Sequence, residues 1–250
     1  MNEPGDRIAC QTCHIPTYAR GGKPTKTWWD WSTAGRKTAD GKPIKEKDEN
    51  GYVTYVTKKG NFEWGENLVP EYHWLSGNTR FRSLGEKIDP SEVTKLNVFE
   101  GSYEDENARI WPFKVMRGKQ AYDKVNNTLA VAHLFGKDKD AYWKSYSWSK
   151  ALENAMKAAG AEFSGEYDFL ETEMYWPLSH MIAPKEESLG CTDCHSKNGR
   201  LANLTDFYLP GRDNNKWLDG IGWLAVAGTL GGVSIHGLLR IIANRRRKRK

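Results

Sequence analysis

The chain has 250 residues, 37 of them basic and 32 acidic, and only 38% are hydrophobic although 11 Trp and 11 Tyr are present. The basic excess sits at one place: Arg245, Arg246, Arg247, Lys248, Arg249 and Lys250 end the sequence, and without them 31 basic residues face 32 acidic ones. The pI therefore gives no argument for a nucleic-acid partner, and the length allows one or two domains.

The first motif is Cys10-Gln11-Thr12-Cys13-His14. Cys-x-x-Cys-His is the attachment signature of c-type haem: two thiols add to the vinyl groups, and the adjacent histidine reaches the iron. The frame recurs at Cys191-Thr192-Asp193-Cys194-His195, which uses the remaining two of the four cysteines. A pair of zinc knuckles or redox dithiols would not require the fifth-position histidine. With histidine at 6 of 250 residues, both pairs being followed by His has a chance of about 0.0006. Two covalent haems c are expected, bound by Cys10, Cys13, Cys191 and Cys194, with His14 and His195 as proximal iron ligands. A poor aliphatic inventory with many aromatics suits such a core, because a porphyrin supplies apolar surface that side chains need not. Only seven residues precede Ile8, too few for an export signal, although haem of this type is attached outside the cytoplasm.

Trp28, Trp29 and Trp31 follow, lining a haem or a channel or forming a local core. Residues 38–50 are charged and loop-like. The β-branched run from Gly51 to Thr57 predicts a strand, with Phe62–Trp64 as its hairpin partner. Apolar residues Trp148, Leu152, Ala155, Met156 and Ala159 recur at helical spacing, with Ser147 as N-cap and Gly160 as stop. Six-coordinate haem needs a distal ligand. His180, eleven residues before Cys191, and His133 are the leading candidates, with His73, Met116, Met174 and Met181 behind them.

Ile221 to Leu239 is a run of nineteen residues without Asp, Glu, Lys or Arg, long enough as a helix to span the ~30 Å hydrocarbon layer. Trp217 and Trp223 mark one end, and Arg240 with the cationic block marks the other. The positive-inside rule puts the block in the cytoplasm and the haem region outside, on the periplasmic side of the cell membrane. Gly222, Gly228, Gly231, Gly232 and Gly237 favour close helix packing, hence a membrane partner such as a cytochrome b or a quinol-oxidising subunit. His236 lies within the span and would ligate a haem b, bond a quinone, or pair with a neighbour.

Several runs beyond the haem motifs carry a family resemblance: RIACQTCHIPTYARGGKPTKTWWDWSTAGR, FEWGENLVPEY, ARIWPFKVMRGKQAYD and SHMIAPKEESLGCTDCH. Over most of residues 7–200 the chain resembles the C-terminal part of the octahaem tetrathionate reductase family of multihaem cytochromes c. The resemblance implies that this stretch carries the last two of eight haems and contacts further haems of an upstream segment or partner, six of which, the substrate-binding one included, lie elsewhere. Export would then depend on sequence not present here. The hydrophobic anchor departs from the soluble form of the family.

The expected fold is mainly α with long loops and a minor β-hairpin, organised around covalent haems, plus one C-terminal transmembrane helix. Residues 1–212 form the dihaem region and residues 213–250 the anchor and basic tail. The expected role is electron transfer within a membrane-attached reductase-like cytochrome, with tetrathionate, nitrite or hydroxylamine as substrates by resemblance. The alternative is a non-catalytic subunit linking the quinone pool to periplasmic or extracellular partners. No Ser-His-Asp arrangement, Walker loop or dinucleotide fingerprint supports hydrolytic or nucleotide chemistry.

Overall fold

The computed structural model describes residues 4–248; residues 1–3, Arg249 and Lys250 lie outside the described residues. The chain forms two compact units, one up to Gly190 and one from Cys191 onward.

In the first unit, helix α1 (Cys10–His14) precedes strands β1 (Thr25–Asp30), β2 (Lys45–Lys47), β3 (Val53–Val56), β4 (Gly60–Gly65) and β5 (Glu71–Leu75). Short strands β6 (Thr79–Phe81), β7 (Thr94–Lys95) and β8 (Asn97–Phe99) lead to the long strand β9 (Arg109–Asp123). Strand β10 (Thr128–Leu129), helices α2 (Tyr142–Ser145) and α3 (Trp148–Ala158), and strand β11 (Tyr167–Pro177) complete it. Nine strands make one sheet in the order β2-β3-β4-β1-β9-β11-β7, with β5 and β10 also paired to β9; β6 and β8 form a separate pair.

This sheet corrects the expectation of a mainly α fold. The hairpin expected near residues 51–64 is present as β3–β4, with Tyr55 opposite Asn61, but it is the margin of the sheet. Its centre is β9 and β11, antiparallel from Phe113↔Pro177 to Asp123↔Tyr167. Both faces of β9 carry buried residues, Ile110 and Pro112 on one and Phe113 and Val115 on the other, so its sequence shows no clean polar–apolar alternation. Pro112 and Gly118 within it are also residues that argue against a central strand. Phe113, Val115 and Tyr175 pack on one face with Leu75, Phe99 and Trp111. A wholly buried Phe such as Phe113 contributes on the order of 2–3 kcal/mol.

The helix expected after Ser147 is α3. The Ser147 hydroxyl accepts from the Lys150 amide, and Gly160 ends the turn at φ +65°.

The second unit holds helix α4 (Cys191–Cys194), a loop, and the 32-residue helix α5 (Lys216–Arg247). The Asn215 side chain caps α5 by accepting from the Trp217 and Leu218 amides at 3.1 and 3.3 Å. Its apolar side chains, Trp217, Trp223, Leu230 and Ile235 among them, are exposed. By length and composition α5 is long and apolar enough to cross a membrane. At ~1.5 Å per residue it exceeds the hydrocarbon thickness. The Thr229 hydroxyl, placed mid-helix, is satisfied by the Ala225 carbonyl at 2.8 Å, as an apolar surrounding demands.

Candidate haem-attachment sites

Helix α1 is a single turn, too short to persist alone, and long-range bonds hold it. The Ala9 amide donates to the Ile110 carbonyl at 3.1 Å, and the wholly buried Thr12 hydroxyl donates to the same oxygen at 2.6 Å. Thr12 therefore faces the start of β9. Cys10 and Cys13, three residues apart and so neighbours on one helix face, are left exposed and half-buried. Neither thiol is in a disulfide.

A strap from Leu178 to Leu189 closes behind this turn. Leu178 belongs to a core with Ile15, Tyr18 and Ala19, and its carbonyl accepts from the Trp111 indole at 3.0 Å. Arg20 donates to the Met181 carbonyl at 2.5 Å and pairs with Glu187 at 3.6 Å. Ala183 then binds His14 twice: its amide donates to the His14 carbonyl at 2.7 Å, and its carbonyl meets His14 Nδ1 at 3.1 Å. A carbonyl can only accept, so Nδ1 carries the proton and Nε2 keeps its lone pair for a metal.

The second turn repeats the chemistry with other partners. Cys194 is buried and Cys191 exposed. The His195 amide closes the turn on the Cys191 carbonyl at 2.8 Å, and His195 Nδ1 lies 2.9 Å from the Pro210 carbonyl. Nε2 is again the nitrogen left for a metal. Gly211 makes the approach feasible: its φ is +86°, and a Cβ there would stand 2.3 Å from the His195 carbonyl oxygen. Arg212, its side chain only 6% exposed, ties the loop by donating to the Leu201, Leu204 and Phe207 carbonyls and to Asp213. The Arg212 guanidinium, followed by the Leu209 amide, holds the Asp213 carboxyl down to about 2.

Both sites fit a covalent haem: two thiols outside any disulfide, on one helical turn beside an imidazole whose Nδ1 is fixed by a carbonyl. The distal candidates stand differently. His180 lies on the strap, exposed, three residues before Ala183. His133 is remote from α1. Its neighbour Ala130 bonds Ala121 near one end of β9, whereas α1 docks on Ile110 near the other, roughly 35 Å along a strand. His133 Nε2 is engaged by Asp138 Oδ2 at 2.8 Å, which holds that carboxyl down to about 2. His73 is on β5 edge-on to Phe113 and Tyr175, with Nε2 buried and unbonded. Burial pushes its pKa down, so it is a neutral core imidazole. Met116 and Met174 face each other across β9 and β11.

Sequence reasoning missed the orienting groups Ala183 and Pro210, because a backbone carbonyl leaves no side-chain signal. It also missed Thr12, Arg20 and Arg212, whose roles depend on partners distant in sequence or on loop shape. Gly211 was the one readable hint.

A family model described as bacterial cytochrome c matches residues 26–198, a span that includes the second motif and begins after the first. No curated protein matches the chain significantly. Among solved structures, the chain is similar to an octahaem cytochrome c from Shewanella oneidensis, at 41% identity and a TM-score of 0.72, covering 80% of this chain. The chain spans 46% of the length of that protein.

Proposed function

The chain belongs to the bacterial cytochrome c family, and on that premise we propose that it is the electron-transferring portion of a larger multihaem assembly, holding two haems c through Cys10, Cys13 and His14 and through Cys191, Cys194 and His195. The observation that carries this reading is the shared fixing of both histidines, each with Nδ1 on a carbonyl and Nε2 left for iron. The bound group supplies reversible one-electron chemistry, with a potential set by its axial ligands and surroundings. The chain's own residues do the rest. Ala183 and Pro210 set the tautomer and raise ligand basicity, and Thr12 and Arg212 hold the turns.

The similarity to an octahaem protein of which the chain spans 46% supports a complementary segment or subunit that carries further haems. His180, exposed on the strap three residues before Ala183, is the leading distal ligand in this reading, to one of these haems or to one carried elsewhere. His133 would have to leave Asp138 to ligate iron. A reductase role towards tetrathionate, nitrite or hydroxylamine rests on the family resemblance alone, since fold does not fix substrate. Helix α5 favours a membrane-attached form, with the haem region outside, the basic tail in the cytoplasm, and a quinol-oxidising or cytochrome b partner in the bilayer.

A pyridine haemochrome assay on the purified chain should find two covalent haems; fewer than two would overturn the reading. Protease added to intact spheroplasts should remove the haem region and spare the tail, and the opposite pattern would reverse the topology.

A further inference from the structure

One face of the sheet in the first unit carries a groove whose lining includes none of the attachment cysteines or their histidines. On β9, Lys114, Met116 and Gly118 lie opposite Trp176, Met174 and Thr172 of β11. Strand β1 closes the third side: a Cβ at Gly118 would stand 2.2 Å from the Trp29 carbonyl oxygen, so glycine lets the two backbones meet and forms the floor. Trp29 stacks on Trp31 at 4.6 Å. The groove is open on one side, with a volume of about 390 Å³, at the lower end of the range of small-molecule sites.

The walls are aromatic or thioether, yet two ammonium groups border them. Lys26 Nζ lies 3.9 Å from the Phe62 ring centroid and 4.5 Å from that of Trp29. Lys114 is half-buried and donates to the Thr25 hydroxyl at 2.5 Å. Among the described residues neither lysine forms an ion pair, whereas the bordering Arg117 is held by Glu71 and Glu173 at 2.8 and 2.9 Å. Burial pushes the pKa of each lysine down, and the neighbouring Lys59 and Lys114 push Lys26 further. Two dehydrated, mutually repelling cations without a carboxylate are unfavourable in the free protein. A bound anion would relieve them.

The walls say which anion. A strongly hydrated one such as sulfate would exchange many water bonds for two ammoniums and a few dipoles. A flat aromatic anion keeps its charged end at the lysines and lays its ring on Trp29, Trp31 and the methionine pair, where stacking and sulfur contacts reward it. We propose that this groove is a binding site for a planar aromatic anion of about two or three fused rings bearing a carboxylate or sulfonate, held by Lys26 and Lys114.

Calorimetric titration of the full, haem-loaded chain with 2-naphthoate and with sulfate tests this. One naphthoate per chain should bind, sulfate should not, and affinity should fall as salt rises. Lys26→Gln and Lys114→Gln should each weaken binding at least tenfold, while Lys157→Gln on α3 changes nothing. Lys114→Met should abolish binding and leave the thermal midpoint unchanged or raised, because it removes an unpaired dehydrated charge. A lowered midpoint would mark Lys114 as structural and overturn the assignment. Equal affinity for sulfate, or full naphthoate affinity in both Gln variants, would also overturn it. So would absence of naphthoate binding together with a downward shift of a haem potential in those variants, which would assign the ammoniums to a porphyrin propionate.

Discussion

The two attachment turns share one motif and one chemical solution but are held by different parts of the chain. At the first, Thr12 bonds a carbonyl 98 residues away and His14 one 169 residues away. At the second, Arg200 bonds Asp193 and His195 bonds Pro210, only 15 residues on. The first imidazole can be oriented only after β9 and the strap are in place, so its geometry carries the loop-closure entropy of most of the first unit. The second is oriented within residues 191–213. On the proposed function each five-residue motif attaches a haem, while the tautomer and stiffness of its histidine are borrowed from the sheet in one case and from a tightly bonded loop in the other.

The largest test of that contrast is Gly118→Ala. The new Cβ would meet the Trp29 carbonyl at 2.2 Å, forcing β1 away from β9 at a cost of roughly 3 kcal/mol or more. Electron paramagnetic resonance should show the first haem losing its fixed low-spin signature while the second keeps its own. Loss of both together would break the comparison. Gly211→Ala is the converse. A side chain at φ +86°, with its Cβ 2.3 Å from the His195 carbonyl oxygen, should cost about 1–3 kcal/mol and disturb only the second haem. If the first signal changed instead, the second loop would not be the self-contained holder described here.

The same division explains what could be read from the sequence. Features built from neighbouring residues were legible. The β3–β4 hairpin follows from the β-branched run Gly51–Thr57 and the aromatic run Phe62–Trp64, and α3 follows from its spacing and the Ser147 cap. Both cysteine frames are visible as text. Strands β9 and β11 were not, because each is defined by a partner about fifty residues away and β9 carries Pro112 and Gly118, which locally oppose a strand. The tryptophans of β1 read as a cofactor lining or a local core, while they stand on a strand that β9 and β4 fix from both sides. The carbonyls of Ala183 and Pro210 have no code at all, since any residue could supply them.

A smaller test isolates the first site's link to β9. Thr12→Val keeps the volume and removes the 2.6 Å bond to the Ile110 carbonyl. That oxygen still accepts from the Ala9 amide, so it is not orphaned, and the loss should be about 1 kcal/mol. Urea unfolding followed at each haem should lower the midpoint for the first site alone. An unchanged first midpoint would show that Ala183, rather than Thr12, does the holding.

The smallest expected effect distinguishes the two holders by their response to acid. The first imidazole rests on a neutral carbonyl, whereas the loop behind the second is tied by the Arg212–Asp213 pair at 2.6 Å. Arg212 holds the Asp213 carboxyl down to about 2, below its ordinary value near ~3.9 in an unfolded chain. A carboxyl depressed on folding contributes its stability fully above the unfolded value and loses it as pH falls through the folded one. The loop should therefore loosen between about pH 4 and pH 2, freeing the Pro210 carbonyl from His195 and altering the second haem's spectrum. Asp213→Asn should remove that window, leaving a spectrum insensitive over the same range. The first unit has its own acid-labile pair, His133 with Asp138, whose carboxyl is held to about 2 by the imidazole. Asp138→Asn serves as the control, because α1 docks near the opposite end of β9 from His133. If Asp138→Asn abolished the acid change at the second haem and Asp213→Asn did not, the bonded loop would not be what fixes His195.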